Sequence, residues 1–374
     1  MYTLEFTFQQ LMNDRLLKRA LGNLIPSEWI NELPTESYNK TLAQIATDHH
    51  MHWGAPFLSR EILECANILS DTESSNRFLF QPLWQTHYDH QGSSIPDANL
   101  NTEESVWLFT GNPTVDNHAF AHTDIPGSIP PYATFPASDT SSLSPAVIIC
   151  PGGGYSMLST YSEGIQLAAR LERDGGYKAF ILNYRLAPHA YPLPQMDLAR
   201  AVMYVRKHAS HYHIDPSQIL ILGSSAGGHL CASEALYHKE LKNYIFESYP
   251  QYIPEYTGIS ARPDGVGLLY PVISLVSQTH AGTCQNNTKG NALLKDQLSV
   301  DLHMDKEYPP TYAFACLDDP TVPFSNTTRL DAALEQLSVP HLCELFPSGG
   351  HGIGLGYATS ARYWSEHMIS FLIP

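Results

Sequence analysis

Gln218-Ile-Leu-Ile-Leu-Gly-Ser-Ser-Ala-Gly-Gly-His-Leu230 passes from a short apolar run, through Gly-x-Ser-x-Gly at 223–227, into a segment compatible with a helix. A serine held in a sharp strand-to-helix turn tolerates no bulky residue beside it, which is why glycines stand on both sides. Ser225 is therefore the candidate nucleophile, and the Ala226 N–H is a candidate donor to an oxyanion.

Working outward, short apolar runs alternate with helical patterns. Residues 146–150, 178–182, 218–222, 265–270, 311–316 and 341–346 read as buried strands. Between them, 162–174 reads as a helix stopped by Gly175-Gly176. Leu198, Ala201, Val202 and Val205 form one i, i+3, i+4, i+7 face, and Leu330, Leu334 and Leu337 another. Strands separated by helices of this length imply crossover units, hence a mostly parallel sheet covered on both faces. Sites in such folds form in the loops at the carboxyl ends of the strands.

Three of those loops carry chemistry. The first is Pro151-Gly-Gly-Gly-Tyr155, whose glycines let backbone N–H groups approach a ligand as an oxyanion hole requires; a flexible turn is the plain alternative. Leu317-Asp-Asp-Pro-Thr-Val-Pro323 then places carboxylates at a strand end, and Pro347-Ser-Gly-Gly-His-Gly352 an imidazole between glycines. A serine hydroxyl is a weak nucleophile at neutral pH and needs a base beside it; an imidazole fills that role, held by a carboxylate that fixes its tautomer. The chain order is Ser225, Asp319, His351, the order of α/β-hydrolases, with Asp318 as the fallback acid should Asp319 cap its loop instead.

From about Ala146 to Phe371 the chain resembles the bacterial α/β-hydrolase esterases labelled acetyl-xylan or carbohydrate esterases, sometimes feruloyl esterases, related to the hormone-sensitive-lipase group. The resemblance is carried by V-I-I-C-P-G-G-G-Y at 147–155, N-Y-R-L-A-P at 183–188, I-L-G-S-S-A-G-G-H-L at 221–230, L-Y-P-V-I at 269–273, D-D-P-T-V-P at 318–323 and F-P-S-G-G-H-G-I-G-L at 346–355. It implies an α/β-hydrolase fold with oxyanion donors at Gly152, Gly153 and Ala226. Pro151 stands where the lipase group has histidine, which touches a supporting hydrogen bond and not the backbone donors.

At 374 residues the chain is long enough for a second module, and residues 1–100 read as a helical one, a cap or a dimerisation element, ahead of a catalytic domain at 101–374. Leucines at helical spacing over 11–25, a helix start at Pro26 and a helix at 59–69 support that reading, with a linker near 90–104 and a strand at 130–137. Histidines crowd 48–52 and 87–90, and recur as His118/His122 and His208/His211/His213, but their spacings fit no closed zinc pattern and they read as polar surface residues. Neither a metal nor a cofactor is expected.

With 21 Lys+Arg against 37 Asp+Glu the net charge is −16, which repels phosphate backbones and anionic lipid, so nucleic acid and membrane are poor partners. Six dispersed cysteines without C-x-x-C read as free thiols, and no signal peptide or membrane span is apparent, so the cytoplasm is the expected compartment. The expectation is a serine carboxylesterase acting on a small-molecule ester, with an acetylated or aroylated sugar as the favoured substrate. Arylformamidase-like amide cleavage is the alternative within enzymes, and a non-catalytic binding protein of the same fold the alternative outside them. Tyrosines over 244–256 and the stretch 277–301 are placed to overhang the site; the tyrosines read equally as ring-stacking surface or as packing.

Overall fold

The computed structural model describes residues 6–14, 33–41, 44–45, 78–82, 107–111, 143–356 and 359–373. Its strands are β1 (Phe78–Pro82), β2 (Trp107–Gly111), β3 (Ser144–Cys150), β4 (Lys178–Asn183), β5 (Ile214–Ser224), β6 (Gly265–Leu269), β7 (Thr311–Cys316) and β8 (His341–Phe346). They form one sheet in the order β1-β2-β4-β3-β5-β6-β7-β8, parallel from β4 to β8, with β1 and β2 added antiparallel at one edge.

Side-chain alternation divides this sheet between two cores. Along β3, Ala146, Ile148 and Cys150 enter one core and Val147 and Ile149 the other, all fully buried. β5 does the same with Ile219 and Ile221 against Leu220 and Leu222. Near-continuous apolar runs are what a strand covered on both faces requires. Burying each Val, Ile or Leu among them is worth about 1.5–3 kcal/mol. The main helices are α1 (Phe8–Asn13), α2 (Gln166–Gly175), α3 (Leu193–Lys207), α4 (Ala226–Ser248), α5 (Ala281–Thr288), α6 (Ser325–Leu337) and α7 (Trp364–Leu372). The predicted face of α3, with Leu198, Ala201, Val202 and Val205, and Leu330 and Leu334 of α6 belong to the same core as Ile148. Leu167 and Leu171 of α2 and Trp364 and Met368 of α7 share the core of Val147 on the opposite side.

The chain steps from β3 outward to β4, then crosses back over β3 to β5, so the reversal of strand order falls between β3 and β5. Open α/β sheets bind their ligands at such a point. Cys150 pairs with Gly223, so the Pro151–Tyr155 loop and the Ser225 turn leave the sheet side by side.

The strands over 311–316 and 341–346 match expectation residue for residue, and the remaining four predicted ones differ only at their ends. β1 and β2 are additions, and β1 lies in a stretch for which the sequence reading gives helices alone; the three-residue runs Phe-Leu-Phe and Trp-Leu-Phe are the signal that marks them. Of the helical pattern expected over 11–25, residues 11–13 fall in α1, which ends at an extended Asp14, and the rest lies outside the described residues. So do the helix start at Pro26, the helix at 59–69, the linker at 90–104 and the strand at 130–137. Among the described residues no helix is long and apolar enough to cross a membrane.

One charged pair is built into the interior. Arg185, from the N-Y-R-L segment after β4, is 1% exposed and Asp197 of α3 is 0% exposed. The guanidinium gives the carboxylate bonds from Nη2 at 2.6 Å and from Nε at 2.9 Å, and the Arg185 N–H adds a third at 2.9 Å. Removing one partner of such a pair leaves a buried charge uncompensated. Asp197→Ala is therefore expected to cost about 3–5 kcal/mol of unfolding free energy, read by urea titration.

Candidate active site

Ser225 sits at the turn from β5 to α4 with φ 53° and ψ −116°. For a residue with a Cβ this is a sparsely populated conformation, with a cost of about 1–3 kcal/mol that the surroundings must impose. They do so through β6: the Ser225 N–H donates to the Leu269 carbonyl at 2.9 Å, and the Ser225 carbonyl accepts from Val272 N–H at 3.2 Å. A Cβ on Gly227 would collide with the Cys150 carbonyl, which explains the second glycine of the motif. Ser225 occupies the N-cap position of α4, yet its hydroxyl caps nothing. Its Oγ lies instead 2.8 Å from His351 Nε2.

The other face of that imidazole meets Asp319, with Nδ1 2.7 Å from Oδ2 and the Asp319 side chain fully buried. A carboxylate accepts, so the proton resides on Nδ1 and Nε2 turns a lone pair to the serine. The second carboxylate oxygen, Oδ1, accepts from Thr321 N–H at 2.8 Å and Val322 N–H at 2.9 Å, which fixes the rotamer. Asp318 serves elsewhere: its Oδ1 accepts from Gly349 and Gly350 N–H at 2.9 and 2.8 Å, shaping the loop that presents His351. The sequence-predicted trio thus comes together as one hydrogen-bonded chain through Asp319.

The expected oxyanion donors fare differently. Gly153 and Ala226 N–H groups have no protein acceptor among the described residues. Gly152 is corrected: its N–H is taken up at 2.8 Å by Oε2 of Glu163, because a buried carboxylate must find donors and this one is the nearest. Burial pushes the Glu163 carboxyl up, while His351, the Tyr270 hydroxyl and the Gly152 N–H pull it back down. Glu163 was not legible as a site residue.

His229, the histidine of the S-A-G-G-H-L run, holds neighbouring loops. Its Nε2 lies 3.0 Å from the Leu298 carbonyl, hence carries the proton, and its Nδ1 lies 3.0 Å from the hydroxyl of Tyr155. Burial drives its pKa down from 6.5 to about 4. Between those values the unfolded chain binds a proton that the folded chain refuses. The site's contribution is thus complete above pH 6.5 and drains away as pH falls toward 4, about 3 kcal/mol in all. Burial raises the carboxyls of Glu163, Glu172 and Glu234, which act in the opposite sense over the same range, so the His229 part is read as a difference. On going from pH 7 to pH 4.5 in urea titrations, wild type should lose more stability, or gain less, than His229→Gln, which has no such proton to take up.

The stretch 277–301 does reach the site. Asn286 of α5 donates to the Gly154 carbonyl at 2.8 Å, and the ring of His280 lies 3.5 Å from where a Gly154 Cβ would stand. The Thr283 N–H donates to His280 Nδ1 at 3.2 Å, so the neutral ring carries its proton on Nε2. Burial and the nearby His351 both lower its pKa. The tyrosines of 244–256 split the other way: Tyr249, Tyr252 and Tyr256 are buried, and the Arg200 guanidinium carbon lies 4.4 and 4.1 Å from the ring centroids of Tyr252 and Tyr256. Packing is the role of these three, while Tyr244 stays exposed. Of the histidines singled out, those at 49–52, 87–90, 118 and 122 lie outside the described residues. His208 stacks on Tyr204 with centroids 4.2 Å apart.

The chain matches the BD-FAE family over residues 134–334, more than half its length. Over 225 residues it is 33% identical to endo-1,4-beta-xylanase B of Butyrivibrio fibrisolvens, covering 59% of this chain and 34% of that protein. Over 222 residues it is 31% identical to the acetylxylan esterase of Xylanibacter ruminicola, covering 56% and 41%. The matched stretch thus spans well under half of either curated relative. Among solved structures, the acetyl ester-xyloside bifunctional hydrolase from Caldicellulosiruptor lactoaceticus superimposes with a TM-score of 0.59 at 28% identity, covering 78% of this chain and 94% of that one. The carboxylesterase Cest-2923 from Lactobacillus plantarum shares the fold, with a TM-score of 0.53 at 23% identity over 71% and 91%. The architecture is that of the α/β-hydrolases, as the motifs imply.

Proposed function

The chain belongs to the BD-FAE family, and from that membership we propose that it is a serine carboxylesterase removing small acyl groups, acetyl or aromatic, from carbohydrate alcohols. The observation that carries the reading is the unbroken Asp319–His351–Ser225 chain of 2.7 and 2.8 Å beside unengaged Gly153 and Ala226 N–H groups.

Ser225 Oγ attacks the ester carbonyl as His351 Nε2 takes its proton. Asp319 holds the imidazolium that results. The carbonyl oxygen, now an oxyanion, is received by Gly153 and Ala226 N–H. On collapse His351 returns the proton to the departing alcohol, leaving an acyl-serine. A water then attacks that acyl group with His351 again as base, and the acid leaves with Ser225 restored. The sugar preference draws its support from the two relatives named for xylan and acetylxylan chemistry.

Treatment with a fluorophosphonate, followed by intact mass and peptide mapping, tests the mechanism. One adduct per chain on Ser225 is expected, together with faster hydrolysis of acetyl than of long-chain esters. Folded protein that takes no adduct would remove the catalytic reading and bring the binding-protein reading forward. A matched ester and anilide pair decides against amide cleavage if only the ester turns over.

A further inference from the structure

Glu163 lies outside every motif that marks this site. It is in Tyr161–Ile165, a wide i→i+5 turn that leads into α2, and only 3% of it is exposed. Turns of that kind are rare and gather at functional sites. Each carboxylate oxygen takes one donor: Oε2 the Gly152 N–H at 2.8 Å, and Oε1 the Tyr270 hydroxyl at 2.9 Å. The Tyr270 oxygen in turn accepts the Gly354 N–H at 3.1 Å, and its ring meets the His351 ring edge-on with centroids 4.9 Å apart. One carboxylate therefore ties together the glycine loop after β3, the end of β6 and the loop that carries His351. Among the described residues the charge that acts on it comes from His351 and not from a lysine or arginine. A buried carboxylate without a cationic partner is costly, and here it stands against the nucleophile: a Cβ on Gly152 would be 2.7 Å from Oε2 and 3.0 Å from Ser225 Cβ.

We propose that Glu163 is a positioning residue for the hydrolysis, an inference that rests on the esterase reading. Its carboxylate holds the oxyanion loop and the histidine loop in register with Ser225, and it adds a second negative charge beside the imidazolium formed when His351 takes the serine proton. The carboxylate form is the one that accepts from both the Gly152 N–H and the Tyr270 hydroxyl. Protonation, or an amide in its place, would turn one of those acceptances into a donation and leave the Tyr270 proton without this acceptor.

Glu163→Gln tests this with p-nitrophenyl acetate as substrate. If the Gln oxygen keeps the Gly152 N–H, its NH2 meets the Tyr270 oxygen, and the phenol proton loses its acceptor. The expected result is a fall in kcat of about 10- to 100-fold, the scale of a small misplacement of catalytic groups. KM should change by less than about twofold, since the ground-state contacts to substrate remain. The acid limb of the kcat/KM profile reports the proton His351 must shed, with Asp319, Ser225, Tyr270, His280 and Glu163 around it. That limb should move to lower pH in Glu163→Gln, because a negative charge beside the imidazolium has gone. A merely structural role would lower the melting temperature and leave the limb in place.

Tyr270→Phe removes one hydroxyl and keeps the ring, so it tests the same tie should Glu163→Gln fail to fold. It should show part of the kcat loss, and the double variant should lose less than the product of the two singles. Wild-type kcat and an unmoved limb in Glu163→Gln, or in Tyr270→Phe wild-type kcat, would overturn the inference while leaving the esterase reading intact. A wild-type protein that turns over no ester and takes no fluorophosphonate adduct would overturn both.

Discussion

Ser225→Ala is expected to lower kcat by about 10⁶-fold, to the rate that binding and the oxyanion donors supply alone. The loss follows from position as much as from chemistry. Oγ stands 2.8 Å from the imidazole that would activate it, at the head of α4, whose first N–H is the proposed oxyanion donor. Ser224, the neighbouring hydroxyl, is completely buried and cannot substitute. Stability should move little, since alanine suffers the same backbone strain at φ 53° that serine does. Ser225→Gly separates the two effects: it should be as inactive as Ser225→Ala yet more stable by about 1 kcal/mol, because glycine adopts that conformation freely. Initial rates with p-nitrophenyl acetate, fluorophosphonate labelling and urea titration measure all three. Retention of a tenth of the activity in either variant would place the nucleophile elsewhere.

What could be read in the sequence was whatever lies within a few residues of itself. β7 and β8 were legible to the residue because each is a mostly apolar run with turn residues at its ends, and the sharp turn at Ser225 was legible because an elbow demands glycines at fixed offsets. β5 begins at Ile214, four residues earlier than the apolar pattern indicates, since Asp215-Pro216-Ser217 has turn composition. The failures are non-local. Glu163 gains its meaning from Gly152, 11 residues away, and Tyr270, 107 residues away, and nothing around it in the chain announces either. Gly152 and Gly153 are indistinguishable as letters; only the carboxylate that arrives from the next turn decides which N–H stays unengaged. Tyr249, Tyr252 and Tyr256 offered stacking faces on paper, and Arg200 from α3 claimed two of them in the fold.

The adjacent aspartates were a second such pair, and their substitutions should separate sharply. Asp319→Asn is expected to reduce kcat by about 10⁴-fold. The Oδ1 position accepts two backbone N–H groups, from Thr321 and Val322, so an asparagine must keep its oxygen there and turn its NH2 toward His351 Nδ1. That nitrogen is then forced to accept, the ring proton moves to Nε2, and the face presented to Ser225 Oγ becomes a donor unable to take the serine proton. Asp318→Asn meets no such conflict, because its amide oxygen still accepts from Gly349 and Gly350 and nothing requires a charge; the expected loss is less than about tenfold. Asp318→Ala removes both acceptances, loosens the loop that presents His351, and should fall between the two at about 10- to 100-fold. Comparing kcat/KM of the three variants at the optimum of the wild-type protein measures this order. If Asp318→Asn proved the most damaged, the acid would be Asp318, and the rotamer lock on Asp319 would be a loop cap with no part in the reaction.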